Sequence, residues 1–211
     1  MRIAELWRYP VKSMGGEALE EARLTADGIA GDRALAVLDA SGRILTARTR
    51  PRLLAHRATL GPDGEPRVDG RAWTDPAVAR DVEAAAGTGA RLERMDGPER
   101  FDILPLLVAT DGAIASLGYD RRRFRPNLLV GGVPGLAERT WEGRLLRAGE
   151  CHVAIRDLRG RCVMTTFDPD TVAQDVNVLR RIVREMGGTL GLNCSVVRGG
   201  TLRVGDPVEL A

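Results

Sequence analysis

A short run in the last third of the chain combines a thiol, arginines and threonines in one turn. Between Arg159 and Thr171 the sequence reads RGRCVMTTFDPDT, with Cys162 after a Gly-Arg pair. Asp168 can accept backbone N–H groups and the proline after it fixes φ, so the strand-prone run 162–167 should end in a stiff turn. A thiolate is a soft metal ligand, and the adjacent Arg161 favours the deprotonated sulfur. A free cysteine is also among the most buried residue types, so a structural role for Cys162 stays open.

A loop near the start of the chain carries residue types that bind anions. Lys12 and Ser13 are followed by a methionine and two glycines, so backbone N–H groups, an ammonium and a hydroxyl can converge on one phosphate. Arg33 begins a predicted strand, from which its guanidinium could point into a cleft. The plain alternatives are a solvated lysine and an arginine paired with Asp32.

A second anion site is predicted where an apolar run meets a short helix. Thr110 and Asp111 stand at this junction, at the start of a helix that Gly118 should end. Unsatisfied N–H groups at a helix N-terminus favour a negatively charged ligand. A threonine at this position can equally be a plain N-cap with no ligand.

The most basic segment has four arginines in five consecutive positions, from Arg121 to Arg125. It could be a solvated charge run, a nucleic-acid patch, or one or two arginines directed at a phosphate. Only 4% of the residues are aromatic and the net charge is +2, so stacking platforms and an extended cationic face are both missing. We therefore expect no nucleic-acid partner, and Arg121 and Arg122 to be solvated.

Composition indicates an ordinary globular protein. The 211 residues are 44% hydrophobic and 28% charged, enough for one large domain or two small ones. The three cysteines have no paired spacing, which argues against a disulfide framework or a zinc site and favours a reducing compartment. We find no signal-peptide pattern and no run long enough to span a bilayer, and therefore expect a cytoplasmic protein without a membrane partner.

Short strands separated by turn residues dominate the predicted secondary structure, which indicates a mainly β fold with some α-helix, a barrel or a sandwich. Helices are predicted from Asp75-Pro76 to Gly87, from Thr110 to Gly118 and from Asn177 to Met186. The strands are predicted at 2–9, 18–24, 34–38, 43–47, 53–60, 90–95 and 145–155, with further short strands towards the end of the chain. The linker-like sequence Asp96–Glu99 places a domain boundary between residues 1–96 and 97–211.

Six motifs, taken in order, resemble the MOSC domain family, whose members include the C-terminus of molybdenum cofactor sulfurases and the amidoxime-reducing molybdenum enzymes. Besides the cysteine run they are YPVKS at 9–13, GDR at 31–33, TAR at 46–48, RFRPN at 123–127 and VGDPV at 204–208. The resemblance covers nearly the whole chain. It implies a β-barrel-like MOSC N-terminal domain over 1–96 and a MOSC β-barrel domain with a few short helices over 97–211.

The resemblance also implies an activity: an oxidoreductase that carries the molybdenum cofactor and reduces N-hydroxylated small molecules such as amidoximes or hydroxylamines. Cys162 would bind the molybdenum. The cofactor's phosphate and polar edge would be held by Lys12, Ser13, Arg33, Thr110, Asp111, Arg125, Asn127 and Arg161. Electrons would come from a separate protein, since the sequence shows neither a ferredoxin-type cysteine cluster nor a glycine-rich dinucleotide loop. The alternative is a sulfur carrier, with a persulfide on Cys162 supplied by a cysteine desulfurase, or a protein that carries or sulfurates the cofactor.

Overall fold

The structure is a computed structural model that describes residues 1–211. Strands account for 38% of the residues and helices for 23%, which confirms the mainly β class with some α. The α-helices are α1 (Pro76–Ala86), α2 (Asp111–Leu117) and α3 (Val176–Met186). The strands are β1 (Arg2–Arg8), β2 (Glu17–Leu19), β3 (Glu21–Thr25), β4 (Gly28–Ile29), β5 (Leu35–Leu38), β6 (Ile44–Leu45), β7 (Ala58–Leu60), β8 (Pro66–Val68), β9 (Arg71–Ala72), β10 (Arg91–Arg94), β11 (Leu106–Thr110), β12 (Leu128–Gly131), β13 (Leu145–Ala148), β14 (Cys151–Gly160), β15 (Thr189–Arg198), β16 (Gly200–Arg203) and β17 (Val208–Leu210).

One large sheet organises the molecule. Its eight strands run in the order β17-β13-β14-β15-β11-β12-β1-β2, and only β11 and β12 pair in parallel. The sheet is not closed, so "barrel" describes it only loosely. The first strand of the chain, β1, lies beside β12, and Ile3 and Leu6 belong to the same core of 20 buried residues as Val108 and Leu192.

Three small sheets of three strands each complete the fold, in the orders β10-β5-β6, β16-β3-β4 and β7-β8-β9. A second core of 11 buried residues, among them Val11, Leu35, Leu53 and Val78, packs α1 against the early strands. Near the end of the chain β16 returns to pair with β3. This last pairing lies within the first core, to which Leu24 and Leu202 both belong, whereas the second core is built from residues between Val11 and Ala90.

The three helices lie where their caps predict them. Asp75 accepts the Ala77 N–H at the start of α1, and Thr110 accepts the Ala113 N–H at the start of α2. In α3 the buried positions are Val178, Ile182 and Met186, whereas Val183 is 57% exposed. No helix is both long and apolar enough to span a membrane.

Three local expectations are wrong. The run 162–167 is not a strand: Val163–Thr166 forms a 3-10 helix, because the hydroxyls of Thr165 and Thr166 donate to carbonyls three residues earlier. The predicted strand 53–60 begins instead as a 3-10 helix, Pro51–Ala55, whose proline fits the first helical turn. Arg33 does not begin a strand but has a φ of +50°, at the turn before β5.

Candidate functional site

A cleft of about 290 Å3 lies between the early loops and the end of β14. Eight of the 21 residues that line it are cationic and one, Asp102, is acidic. The cations are Lys12, Arg33, Arg48, Arg100, Arg123, Arg125, Arg159 and Arg161. We call this the cationic cleft. Ser13, Asn127 and Cys162 also line it, so seven of the nine predicted site residues meet there.

Cys162 is placed by the strand that precedes it and the turn that follows. It stands two residues after β14, and its carbonyl accepts the Thr165 hydroxyl at 2.9 Å. Its side chain is half-buried, whereas Cys151 and Cys194 are buried, and burial raises the pKa of both buried thiols. Cys162 is therefore the one thiol of the chain that a ligand in the cleft can reach.

Arg48 lies beside this sulfur. Burial acts to lower the pKa of the Arg48 guanidinium, but Asp102 and the sulfur of Cys162 outweigh burial and raise it. The Arg48 guanidinium also donates to Asp102 at 2.7 Å. Arg48 therefore connects the loop after β6 to the turn that carries Cys162.

Two guanidinium groups of the cleft, those of Arg125 and Arg161, make no ion pair. Arg125 donates to the Met14 carbonyl at 2.6 Å and lies 4.2 Å from the centre of the Tyr9 ring. Arg161 donates to the Phe124 carbonyl at 2.8 Å, and its Nε is buried without a partner. The pKa of each is lowered to about 10, mainly by burial, to which the charge of Arg33 adds for Arg125 and that of Arg159 for Arg161. A charge withdrawn from water without a counter-ion is costly, so this part of the cleft is suited to an anionic ligand.

Asp102 is the counter-ion for the other side of the cleft. Its carboxylate is paired with Lys12 at 3.2 Å, Arg48 at 2.7 Å and Arg159 at 3.2 Å. Burial acts to raise the pKa of Asp102, but Lys12 and Arg48 outweigh it and hold the pKa below its ordinary value. Asp102 is thus ionised at neutral pH and ties three separate segments together.

Lys12 has all three ammonium protons occupied by the protein. Its Nζ donates to the carbonyls of Glu99 and Arg100 at 3.1 and 3.0 Å, in addition to the pair with Asp102. Burial lowers its pKa. Lys12 therefore holds the segment 99–102 against the cleft. Ser13, with a φ of +72°, accepts the Ala47 N–H at 3.0 Å and keeps its own hydroxyl proton free.

Asn127 is a fully bonded junction rather than an open donor. Its Oδ1 accepts from the Leu107 N–H at 3.2 Å and from Arg33 at 3.1 Å. Its Nδ2 donates to the Trp7 carbonyl and to Asp32. Asp32 also forms an ion pair with Arg33, which is the alternative to anion binding that the sequence left open for this arginine. Asn127 and Asp32 together fix the direction of the Arg33 side chain.

Thr110 and Asp111 do not line the cationic cleft, which corrects the prediction of an anion site there. Thr110 is fully buried, caps α2 and donates to Glu138 at 3.1 Å. Asp111 accepts the backbone N–H groups of Gly112, Gly132 and Val133. Both side chains are occupied by the fold, because helix capping uses the same N–H groups that an anion would need.

Sequence reasoning missed Arg48, Asp102 and Arg159 as members of the site. Arg48 and Arg159 stood inside motifs noted above, at the end of TAR and at the start of the cysteine run, so a signal for them was present. Asp102 had none, because its partners lie more than 50 residues away along the chain.

The fold and the cleft together define a mainly β protein with one accessible thiol among guanidinium groups that make no ion pair. The particular family follows from comparison with known proteins. The model described as "MOSC N-terminal beta barrel domain" matches residues 1–96, and that described as "MOSC domain" matches residues 111–209. The chain belongs to the MOSC-domain family.

Several proteins of known name are similar along the whole chain. "Mitochondrial amidoxime reducing component 2" of Macaca fascicularis and of Homo sapiens are each 28% identical, over 98% of this chain and 82% of the relative. "Mitochondrial amidoxime-reducing component 1" of Homo sapiens is 25% identical over 99% and 82%. The crystal structure of the YuaD protein from Bacillus subtilis covers 99% of this chain and 94% of its own, with a TM-score of 0.55 at 16% identity, which supports the fold alone.

Proposed function

We propose that this protein is a molybdenum-cofactor-dependent oxidoreductase that reduces N-hydroxylated compounds such as amidoximes and hydroxylamines. One observation carries the proposal: Arg125 and Arg161, two guanidinium groups without a carboxylate partner, line the same cleft as the accessible thiol of Cys162. Relatives named amidoxime reducing components, at up to 28% identity, support the reaction class.

The residues of the cleft fit a cofactor with a phosphate at one end and a metal at the other. A phosphate accepts several charge-assisted hydrogen bonds, and the Arg161 Nε, the free hydroxyl proton of Ser13 and the remaining N–H groups of Arg125 are available to donate them. Cys162 would give one soft sulfur ligand to the molybdenum, and the dithiolene sulfurs of the cofactor would give others. When bound, the group supplies two-electron redox chemistry.

Other residues of the cleft position those that touch the cofactor. Asp102 stays ionised and holds Lys12, Arg48 and Arg159 together. Asn127 and Asp32 hold Arg33. Because these contacts join segments far apart in sequence, the cleft is shaped before any ligand enters, which lowers the entropy cost of binding.

The overall reaction would consume two electrons and two protons for each substrate. The N–O bond breaks, the oxygen leaves as water, and an amidoxime becomes an amidine. We place the electron source in a separate redox protein and the protons in the solvent that reaches the open cleft. The three free cysteines support a reducing compartment such as the cytoplasm.

The test is elemental analysis of protein made in a host that synthesises the molybdenum cofactor and purified without oxygen. We expect about one molybdenum and one pterin phosphate per chain, the stoichiometry of a single thiolate ligand. The same sample should reduce benzamidoxime to benzamidine with an artificial electron donor. Protein that holds no molybdenum, or that holds it without reducing either benzamidoxime or hydroxylamine, would contradict the proposal.

A sulfur-carrier function is the second candidate. Cys162 would be the carrier residue, because it is the one cysteine that is not buried. In this case a cysteine desulfurase would transfer a sulfur to the Cys162 thiol as a persulfide. Such protein would contain sulfur that cyanide releases as thiocyanate, with no molybdenum. Cys162→Ser should abolish the released sulfur, whereas Cys151→Ser and Cys194→Ser should leave it unchanged.

A further inference from the structure

An open groove of about 430 Å3 lies beside the outer face of α3. Val176, Leu179 and Val183 of the helix line it on one side, and Val163 of the 3-10 helix after Cys162 lines it on the other. Val176 is 44% exposed and Val183 is 57% exposed, which places both among the few large apolar side chains that the fold leaves in contact with water. We call this surface the α3 groove.

The helix α3 has two apolar faces, and the fold buries only one of them. Val178, Ile182 and Met186 belong to a buried core, whereas Val176 and Val183 are exposed. A β-branched residue slightly lowers helix propensity, and an apolar stripe on a helix normally packs against another surface. The exposed valines therefore do not serve the stability of this chain, and their packing partner should be another molecule.

The α3 groove is positively charged. Its lining includes Arg180 and Arg184 and no carboxylate. Arg180 makes no ion pair, and Arg184 pairs only with Glu185, which Arg181 also shares. The carboxylate at the start of the helix, that of Asp175, is occupied as the N-cap. This charge favours an acidic partner and disfavours a second copy of the chain, which would bring two cationic grooves together.

The α3 groove lies next to the residue that would hold the metal. Val163 follows Cys162 directly, so the Cα atoms of the two residues are about 3.8 Å apart. Cys162 and Met164 line the cationic cleft, whereas Val163 and Thr166 line the groove. A protein docked in the groove would therefore be separated from the Cys162 sulfur by one turn of 3-10 helix.

We propose that the α3 groove is the docking site of an acidic electron-transfer protein that supplies the reducing equivalents. The inference rests on the proposed function and specifies its partner. Each N–O bond that breaks consumes two electrons and two protons and releases one water. Two molecules of a one-electron carrier are therefore oxidised for each substrate, and solvent supplies the protons. Complexes of redox proteins typically bury less than about 1,200 Å2 in total, in keeping with a groove lined by seven residues.

The experiment compares two electron donors in the reduction of benzamidoxime. Reduced methyl viologen is small and needs no docking surface, whereas an acidic plant-type [2Fe–2S] ferredoxin must dock. For Arg180→Glu and for Val183→Glu we expect kcat/KM for the ferredoxin to fall about tenfold, mostly through KM, because each change places a carboxylate against an acidic partner. The rate with methyl viologen should stay unchanged. Both positions are exposed, so the fold should be kept.

The matched controls are Arg198→Glu and Val197→Glu, which make the same two changes at exposed positions of β15. Arg198 pairs with His152 in the sheet, at the opposite end of the β14–β15 pair from Gly160 and the cysteine turn. Both controls should keep the wild-type rate with either donor. An equal loss of the ferredoxin-dependent rate in controls and groove variants would overturn the proposal, because total charge rather than the groove would then set the rate.

A binding measurement separates this proposal from the proposed function. Oxidised ferredoxin should bind the cofactor-free protein at low salt, about tenfold more weakly when the protein carries Arg180→Glu, and more weakly as salt is added. Such binding without any reduction of benzamidoxime would leave the docking site standing and defeat the oxidoreductase proposal. Reduction with methyl viologen by a protein that does not bind ferredoxin would do the reverse. A dimer that Val183→Glu dissociates would also overturn the proposal, since a second copy would then cover the groove.

Discussion

Two groups of arginines in neighbouring parts of the molecule differ in their partners. Arg122 and Arg123, beside the Asp-Pro-Asp turn, are neutralised by aspartates, although Arg123 also lines the cationic cleft. Arg125 and Arg161 of the cleft have only carbonyl partners. Carboxylate pairing gives a guanidinium its counter-ion within the fold, whereas an unpaired guanidinium still needs one. The comparison shows that the pairing state of an arginine, and not its presence, decides whether it still needs an anionic partner.

Cys162→Ser should have the largest effect on the cationic cleft. A hydroxyl is a hard ligand that ionises poorly, so we expect reduction of benzamidoxime to fall by at least about 100-fold. Because Cys162 is half-buried, the melting temperature should be retained. Steady-state rates and thermal denaturation measure the two quantities.

The controls for this substitution are Cys151→Ser and Cys194→Ser. Both thiols are buried, so each hydroxyl should lower the free energy of unfolding by about 1–3 kcal/mol while activity below the transition is kept. If Cys162→Ser instead loses stability and keeps the wild-type rate, Cys162 is a packing residue and the metal-ligand assignment is wrong.

Sequence alone predicted the features that depend on neighbouring residues. The helix α1 begins at Asp75 and ends at Gly87 because a side-chain cap, a proline and a glycine act within a few residues. The 3-10 helix at Val163–Thr166 was missed. The residue types of this run favour a strand, but threonine hydroxyls that donate to backbone carbonyls three residues earlier favour a helical turn.

The candidate site was predictable only where motifs marked it. Lys12, Arg125 and Cys162 stand in recognisable motifs and line the same cleft. No motif includes Asp102, because its role depends on ion pairs with Arg48 and Arg159, more than 50 residues away along the chain. Which arginines are paired is a property of tertiary structure, and no pattern of residue types shows it.

Arg161→Met should test the cleft's need for an anion. The substitution removes a cation whose Nε is buried without a partner, so we expect the ligand-free protein to keep or slightly raise its melting temperature. A rise of about 1 kcal/mol in the free energy of unfolding would raise the melting temperature by about 2–4 °C in a chain of this size. The stabilisation that inorganic phosphate gives to the wild type should largely disappear. The measurement is thermal denaturation across a phosphate titration.

The matched control is Arg122→Met, which removes an arginine that two aspartates neutralise. It should lower the melting temperature slightly, because Asp120 and Asp170 lose their partner, and phosphate should stabilise it as it does the wild type. If Arg161→Met and Arg122→Met lose the stabilisation by phosphate equally, the pairing state of an arginine does not decide where phosphate binds.

Asp102→Asn should destabilise the ligand-free protein in a pH-dependent way. The pKa of Asp102 in the fold is below its ordinary value of 3.8, so the carboxylate stabilises the fold above that value and loses this effect as the pH falls through the folded pKa. We expect a cost of about 1–2 kcal/mol at pH 7, less than for a fully buried pair, since the Asp102 side chain is 28% exposed.

The pH profile supplies the check on Asp102. The gap in melting temperature between wild type and Asp102→Asn should begin to narrow near pH 3.8 and close as the pH falls through the lower pKa of Asp102 in the fold, where the wild-type side chain becomes neutral. Phosphate should stabilise the variant more than the wild type, because three cations have lost their shared carboxylate. A gap independent of pH would show that Asp102 acts through packing.

The smallest effect on phosphate binding is expected for Thr110→Ala. This variant tests whether the cleft extends to the start of α2. Thr110 is fully buried and caps the helix, so loss of its hydroxyl should cost about 1–2 kcal/mol, and Glu138 loses a donor as well. Asp75→Ala, which removes the corresponding cap of α1, should cost about 1 kcal/mol. Both variants should keep the phosphate-dependent rise in melting temperature. If Thr110→Ala alone loses it, Thr110 contacts the anion and the cationic cleft reaches the N-terminus of α2.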